Sequence, residues 1–361
     1  MRIAVDARPF EERPTGVGRY LDGLLSAWLR ARPEDSVVLL SPRPVHVPAS
    51  LEGRVSVFPS SALPGTIWLQ TAAGPAARRA GADAFLGSLG ILPLASALPG
   101  VATVHDLTPI LFPEWHSRKN RLGFTPFLGA TVRRARRIAA VSEATRRDLV
   151  AAFPDAAGKT RVVHNGIEPE APDRESKAPH AGRPYVLFMG TLEPRKNVAR
   201  LVAAMETIWD RRPEFPDLVL AGGDGWGMGG FAEGVARSRH ANRIALAGYL
   251  GAGERARWLR DASVFAYPSL YEGFGLPPLE AMAQGTPVVG SSASSLPEVM
   301  GGAGLLPDPR SVPHIAQALE RAHDDADFRQ RAATEGPRRA ASFTWTAAAA
   351  KMRILFEEAL H

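Results

Sequence analysis

YPSLYEGFGLPPLEAMAQGTPVV, residues 267–289, decides how this chain folds. The apolar run leading into it, Ser263–Pro268 (SVFAYP), reads as a short buried strand, and Pro287–Gly290 reads as the next one. Between them a glycine-rich turn meets Pro277 and Pro278, which are tolerated where a helix begins and its N–H groups have no partner to lose. The segment also holds two carboxylates. Glu272 falls in the loop at the strand's carboxyl end, and Glu280 is expected in the first turn of the helix. The free N–H groups of that helix face the same loop and suit a phosphate. The pair then brackets an anion site fit for a phosphorylated, hydroxyl-rich ligand. The plainer alternative is a first-turn Glu favoured by the helix dipole and a loop Glu in solvent.

Outward from this segment the same pattern of strand, loop and helix repeats. Arg2–Asp6 reads as a strand, followed by the loop Thr15–Gly18 and an amphipathic helix over Val17–Arg30. Further short strands are expected at Val37–Ser41, Val55–Phe58, Ala84–Leu86, Val101–His105, Ile138–Ser142 and Arg161–His164. Ser142 is placed to cap the helix that follows it. EPEAPDRESKAPHAGRP, from Glu168 to Pro184, is polar, proline-rich and without periodicity, and reads as a linker. A second series then begins: strands at Tyr185–Gly190, Leu218–Ala221, Ile244–Ala247, Val264–Tyr267, Pro287–Gly290 and Gly304–Leu306, with helices at Asn197–Arg211 and Pro278–Gln284. Two such series imply two doubly wound parallel sheets, with ligands beyond the strands' carboxyl ends and a cleft between domains as the natural site. The expected division is residues 1–167, a linker 168–184, residues 185–342, and a last helical segment 343–361 able to reach back to the first domain.

Composition agrees with two domains. The chain has 361 residues, 45% of them hydrophobic, and no apolar run long enough to span a bilayer. MRIAVDARPF reads as a strand rather than a signal peptide. Without cysteine there is no disulfide framework and no thiolate nucleophile. A cytoplasmic location is the default expectation. The net charge of +6 is carried by arginine, since lysine occurs only at Lys119, Lys159, Lys177, Lys196 and Lys351. Arginine is densest at Arg133, Arg134, Arg136 and Arg137, with Arg118, Lys119, Arg121, Arg146 and Arg147 nearby. This cluster could face an anionic membrane surface, but a solvated helix end is the favoured reading. Nucleic acid is a poor fit, because no aromatic residues are interleaved as stacking platforms.

A second informative block is FMGTLEPRKN, Phe188–Asn197. Its strand ends near Gly190, and Arg195 and Lys196 stand directly before a helix. The dipole there would prefer acids, so the cations fit a diphosphate clamp better than an exposed surface. With EGFGLPPLE, AQGTPVV, the TGVGRY loop, ATVHDLTPILFPEW (Ala102–Trp115), VSEATRRDL (Val141–Leu149) and HNGI (His164–Ile167), this block makes the chain resemble the GT-B glycosyltransferases of retaining family 4. The motifs run in the expected order over nearly the whole chain.

The resemblance implies an α/β architecture of GT-B type, two Rossmann-like domains facing across a cleft. It implies a nucleotide-sugar donor held by the second domain and a glycan or lipid-linked acceptor on the first, with the enzyme at most peripheral to the inner face of the membrane. Glu280 would hold the donor ribose, and Glu272 the hydroxyls of the transferred sugar. Gly273, Phe274, Gly275 and Leu276 would lie against that sugar and its phosphate. Arg195 and Lys196 would neutralise the diphosphate as the glycosidic bond breaks, with Gly190, Thr191, Gly222 and Gly223 lining the nucleotide. Gly16 and Gly18 would let the first βα turn close over the phosphates, and His105 would contact the donor sugar while Asp106 supports its loop. Acceptor specificity would reside in the loops Pro42–Gly65 and Pro109–Phe127.

Many relatives carry an arginine directly after the glycine that ends the first strand of this domain, whereas here Thr191 takes that place and the arginine is Arg195. The GTLEPRKN variant resembles a branch using GDP-mannose or GDP-rhamnose. Neither a metal nor another cofactor is expected. Gly225–Gly230 does match G-x-G-x-x-G, a weak signal for a nicotinamide cofactor, but it is not the first turn of its domain and no acid ends the next strand. The alternatives are the same fold with a UDP-sugar donor and a small-molecule acceptor and, more remotely, an epimerase, a phosphorylase or a silent nucleotide-sugar-binding protein.

Overall fold

The computed structural model describes residues 1–11, 16–59, 63–116, 118–169, 179–223, 225 and 230–361, without the side chains of 59, 118–123, 179, 181 and 252. Thr15, the middle of the expected linker, Trp226–Gly229 and the side chains of Arg118, Lys119 and Arg121 therefore lie outside the described residues. The chain divides into two compact units, one of Met1–Glu168 with Phe343–His361, the other of Pro169–Ser342.

In the first unit seven strands form a parallel sheet: β1 (Arg2–Asp6), β2 (Ser36–Ser41), β3 (Val55–Pro59), β4 (Ala84–Gly87), β5 (Gly100–Val104), β6 (Arg137–Ala140) and β7 (Thr160–Val162). Their order is β3-β2-β1-β4-β5-β6-β7, so the winding reverses between β1 and β4. Ile3 is in register with Val37 on one side and Ala84 on the other. Helices cover both faces, which is why β4 and β5 are buried along their whole length rather than alternating. On one face Leu21, Leu24 and Trp28 of the helix Gly16–Ala31 meet Met352 and Phe356 of the helix Trp345–Leu360. On the other, Trp68, Leu128, Val132 and Leu149 close the core. Each such side chain contributes about 1.5–3 kcal/mol on burial.

The helix Trp345–Leu360 starts where a capping residue permits it, with Thr344 Oγ1 accepting the Ala347 N–H at 3.1 Å. It sits close because Gly23 and Gly166 leave room, since a methyl group at either would run into Trp345. Arg137 bridges to Glu358 at 2.6 Å, and the Ile167 N–H donates to Phe343 O at 3.0 Å. Arg134 donates to the carbonyls of Ser96 and Leu98. Two of the four clustered arginines thus serve the first unit's own structure, leaving Arg133 and Arg136 exposed. No helix among the described residues is long and apolar enough to cross a membrane.

The second unit holds five parallel strands, β8 (Tyr185–Met189), β9 (Asp217–Ala221), β10 (Ile244–Gly248), β11 (Val264–Ala266) and β12 (Val288–Val289). They are ordered β10-β9-β8-β11-β12, reversing between β8 and β11.

Four expectations need correction. The first helix begins at Gly16, so Gly16 and Gly18 lie in its first turn instead of a loop. β5 stops at Val104, which makes His105 a loop residue. The helix after Gly275 begins at Leu276, so Glu280 falls in its second turn. No strand forms at Gly304–Leu306; only Leu305 bridges to Val289, because the chain there reaches β12 at a single residue.

Candidate functional site

The reversal between β8 and β11 brings two loops together at the carboxyl edge of the second sheet, where doubly wound folds bind ligands. The loop after β8 carries Arg195 and Lys196, and the loop after β11 carries Glu272. Asn197 ties them. In the left-handed conformation (φ 63°), it donates through Nδ2 to Pro268 O at 2.9 Å and to Pro309 O at 2.6 Å. The Leu270 N–H adds a bond to Arg195 O at 2.8 Å.

Pinned in this way, Lys196 Nζ lies 2.6 Å from Glu272 Oε1 and also donates to the Tyr267 hydroxyl. Arg195 Nη1 reaches Glu272 Oε2 at 2.8 Å, and its Nε reaches Glu193 Oε1 at 2.6 Å. Two acids and two bases form one network, with Glu272 and Lys196 each only 6% exposed. Burial pushes the Glu272 carboxyl up, but Arg195 and Lys196 outweigh it and hold it at about 2. Burial, and secondarily Arg195, lower Lys196. Tyr267 is driven well above its usual value, first by burial and then by the Glu272 carboxylate. Glu272 is therefore ionised at neutral pH, an acceptor and not a proton donor.

The loop beyond Glu272 is held by two serines. The Glu272 N–H donates to Ser294 Oγ at 2.8 Å, while Ser295 Oγ donates to the carbonyls of Glu272 (2.9 Å) and Phe274 (2.7 Å). Phe274 and Leu276 are buried, and Gly275 adopts φ 112° as it turns into the helix. Glu280 Oε2 lies 3.7 Å from Arg255 Nε. The loops after β8 and β9 interlock through Gly190 N–H to Ala221 O (2.9 Å), Leu192 N–H to Gly223 O (3.0 Å) and Gly225 N–H to Leu192 O (2.9 Å). A side chain at Gly222, where φ is 148°, would collide with Gly190 O, whereas Gly223 faces open space. Thr191 is exposed beside them.

Thus Arg195, Lys196 and Glu272 converge, with Gly190, Thr191, Gly222 and Gly223 on the adjoining loops and Gly273–Leu276 continuing from Glu272. The cations rest on Glu272 itself. Sequence reasoning missed Glu193, Tyr267, Ser294 and Ser295 as parts of this arrangement. For the serines a signal existed, since SSASSLPE places Ser295 before a proline-started helix over Leu296–Met300.

His105 stands in the first unit. Its Nε2 is 2.8 Å from Ser88 O and its ring stands edge-on to Tyr20, centroids 4.8 Å apart. Burial lowers its pKa, keeping the imidazole neutral. Asp106 Oδ1 accepts from the N–H (2.9 Å) and hydroxyl (2.7 Å) of Thr108, and so supports the loop. Gly18 is buried in the first turn of its helix, and at Gly16 a methyl group would meet nothing within 4 Å.

Compared with solved structures, the chain superimposes on sucrose-phosphate synthase from Thermosynechococcus elongatus with a TM-score of 0.78 at 21% identity, covering 99% of this chain and 98% of that one. The fold is GT-B. Residues 14–171 match the profile of Glycosyltransferase Family 4, and residues 183–325 that of Glycosyl transferases group 1. Over 254 residues the chain is 32% identical to O-antigen chain mannosyltransferase B of Escherichia coli, covering 68% of this chain and 66% of that protein. Against the serotype-specific mannosyltransferase WbdA of Escherichia coli it is 26% identical, with the match spanning 68% of this chain and only 32% of that longer protein. A D-inositol 3-phosphate glycosyltransferase of Streptomyces scabiei is 28% identical over 381 residues, 99% of this chain and 77% of that one. The chain belongs to the family 4 glycosyltransferases.

Proposed function

We propose that this glycosyltransferase moves a hexose, mannose or a 6-deoxy relative such as rhamnose, from a GDP-sugar to a cell-surface glycan or lipid-linked acceptor, with retention of configuration. The observation that carries this reading is Glu272, a buried and ionised carboxylate presented at the edge of β11 between Arg195 and Lys196. A carboxylate so held accepts hydrogen bonds from sugar hydroxyls without gaining a proton. The adjoining cations offer charge to a departing diphosphate, an electrostatic stabilisation built into the fold before reaction. The bond between the sugar's anomeric carbon and the phosphate oxygen breaks, the acceptor oxygen bonds to that carbon on the same face, and the acceptor proton passes to the diphosphate. Glu280 is assigned to the ribose, Gly190, Thr191, Gly222 and Gly223 to the nucleotide, Gly273–Leu276 to the sugar and its phosphate, and His105, Gly16 and Gly18 to the donor from the first unit. The mannosyltransferase relatives favour mannose.

A second reading keeps the site but pairs a UDP-sugar with a small acceptor; the small acceptor is favoured by the D-inositol 3-phosphate glycosyltransferase relative that matches along nearly the whole chain. Thermal stabilisation by GDP, UDP and ADP with their sugar nucleotides separates the two, because a ligand raises the melting temperature by mass action. A shift with GDP species alone supports the first reading; a shift with UDP species alone rejects it.

A further inference from the structure

Tyr267 directly follows β11, and its N–H still donates across the sheet to Val289 O at 2.7 Å. The residue is 1% exposed. Its ring lies nearly parallel to those of Phe188 and Phe265, with centroids 5.8 and 5.9 Å away. Close packing of this kind leaves the ring little freedom, so the hydroxyl is held in one place. A phenylalanine would fill the same space, and the aromatic packing by itself gives no reason for an oxygen there. Its polar partners do. The hydroxyl accepts a hydrogen bond from Lys196 Nζ and is itself hydrogen-bonded to the Glu272 carboxylate.

An ammonium group carries three N–H donors in a tetrahedral array. In Lys196 one of them goes to Glu272 Oε1 at 2.6 Å and one to the Tyr267 hydroxyl. Two fixed directions determine the third, for which Lys196 shows no partner among the described residues. The backbone of Gly190, assigned above to the nucleotide, runs beside both residues. A methyl group there would stand 3.8 Å from the Tyr267 ring and 4.0 Å from Lys196 Cε. We propose that Tyr267 is a positioning residue for donor cleavage, its hydroxyl aiming the third N–H of Lys196 at the donor's diphosphate. This rests on the diphosphate role proposed above for Lys196. An oxygen that accepts from the nitrogen also favours its protonated form, together with Glu272 and Glu193 and against burial and Arg195.

The test compares Tyr267→Phe with wild type by calorimetry on the full chain, with pyrophosphate, GDP, UDP and the corresponding monophosphates as probes. Tyr267→Phe is expected to bind pyrophosphate, and whichever nucleoside diphosphate wild type binds, about tenfold more weakly. The monophosphate, which lacks the second phosphate, binds both proteins alike. Tyr185→Phe removes another buried tyrosine hydroxyl of the same unit, one bonded to Trp258 O at 2.8 Å, and binds as wild type. Diphosphate affinity also falls away at a lower pH in Tyr267→Phe than in wild type, because Lys196 gives up its proton sooner. Should Tyr267→Phe fail to fold, wild type serves: in nitrogen-15 lysine NMR the Lys196 ammonium, one of five lysine signals, shifts on addition of pyrophosphate. Unchanged diphosphate affinity in Tyr267→Phe, an equal loss for the monophosphate, or a Lys196 signal that pyrophosphate leaves in place each overturns the proposal. So does a wild type that binds no diphosphate. Failure of the GDP reading registers separately, as binding of UDP in place of GDP, with Tyr267→Phe then weakening UDP.

Discussion

Replacing Glu272 by Gln keeps the side chain's shape and removes the charge on which Arg195 and Lys196 rest. Holding that carboxyl at about 2 instead of its ordinary 4.5 is worth about 3 kcal/mol at ~1.4 kcal/mol per pKa unit. This agrees with the ~3–5 kcal/mol typical of breaking a buried ion pair from one side. Glu272→Gln should therefore destabilise the second unit by about 3 kcal/mol and abolish transfer. Urea unfolding followed by tryptophan fluorescence reads the stability, since Trp209 is buried in that unit. Lys196→Met added to Glu272→Gln should cost about 1–3 kcal/mol less than the single effects summed, because the two share one network. The sign of the pH dependence follows from the depressed value. The Glu272 contribution is complete above about 4.5 and is lost as pH falls toward 2, so wild type but not Glu272→Gln should lose stability across that window. A Glu272→Gln protein within about 0.5 kcal/mol of wild type at neutral pH would refute the reasoning.

Ser295→Ala removes both bonds that fix the Glu272–Phe274 backbone; donor KM should rise about tenfold in steady-state assays, with about 1–3 kcal/mol of stability lost. Gly222→Ala drives a methyl group into Gly190 O and should yield poorly folded protein with no nucleotide-induced thermal shift, whereas Gly223→Ala, facing open space, should behave as wild type. His105, its pKa lowered by burial, contributes stability that is complete above its ordinary 6.5 and lost as pH falls through the folded value. Melting temperatures of His105→Asn should consequently vary less than those of wild type between neutral and mildly acidic pH. An identical slope in the two proteins would mean that His105 is not buried as a neutral ring.

Legibility in the sequence followed the range of the interactions concerned. The last helix, expected within 343–361, was readable because Ser342-Phe343-Thr344 breaks the pattern before it, and it runs over Trp345–Leu360 with Thr344 as its cap. Strands surrounded on both faces by helices, such as β1 and β8, were plain as apolar runs. Strand ends were harder: His105 directly follows the buried run Gly100–Val104, yet its ring turns to Ser88 and leaves the ladder. Glu272, Arg195 and Lys196 stood out singly by residue type and position. Their union did not, because it joins positions 76 and 77 apart in the chain and depends on the order β8-β11, which no local pattern states. Glu193 is a different case: its bond to Arg195 spans only two residues, and what no local pattern stated was its burial. Among acids a buried one is recognised only by its partners.

The helix Trp345–Leu360 also has a consequence for synthesis. Seven of its side chains, from Trp345 to Ala359, belong to the core that β1 and the helix Gly16–Ala31 begin. A ribosome makes those two elements first, then the whole second unit, and only afterwards the residues that cover them. The nascent first unit must wait with its apolar flank uncovered, dependent on chaperones or on provisional contacts, while the second unit is free to fold ahead of it. A premature stop just before Trp345 would leave the second unit intact and yet harm the half of the protein that was translated first.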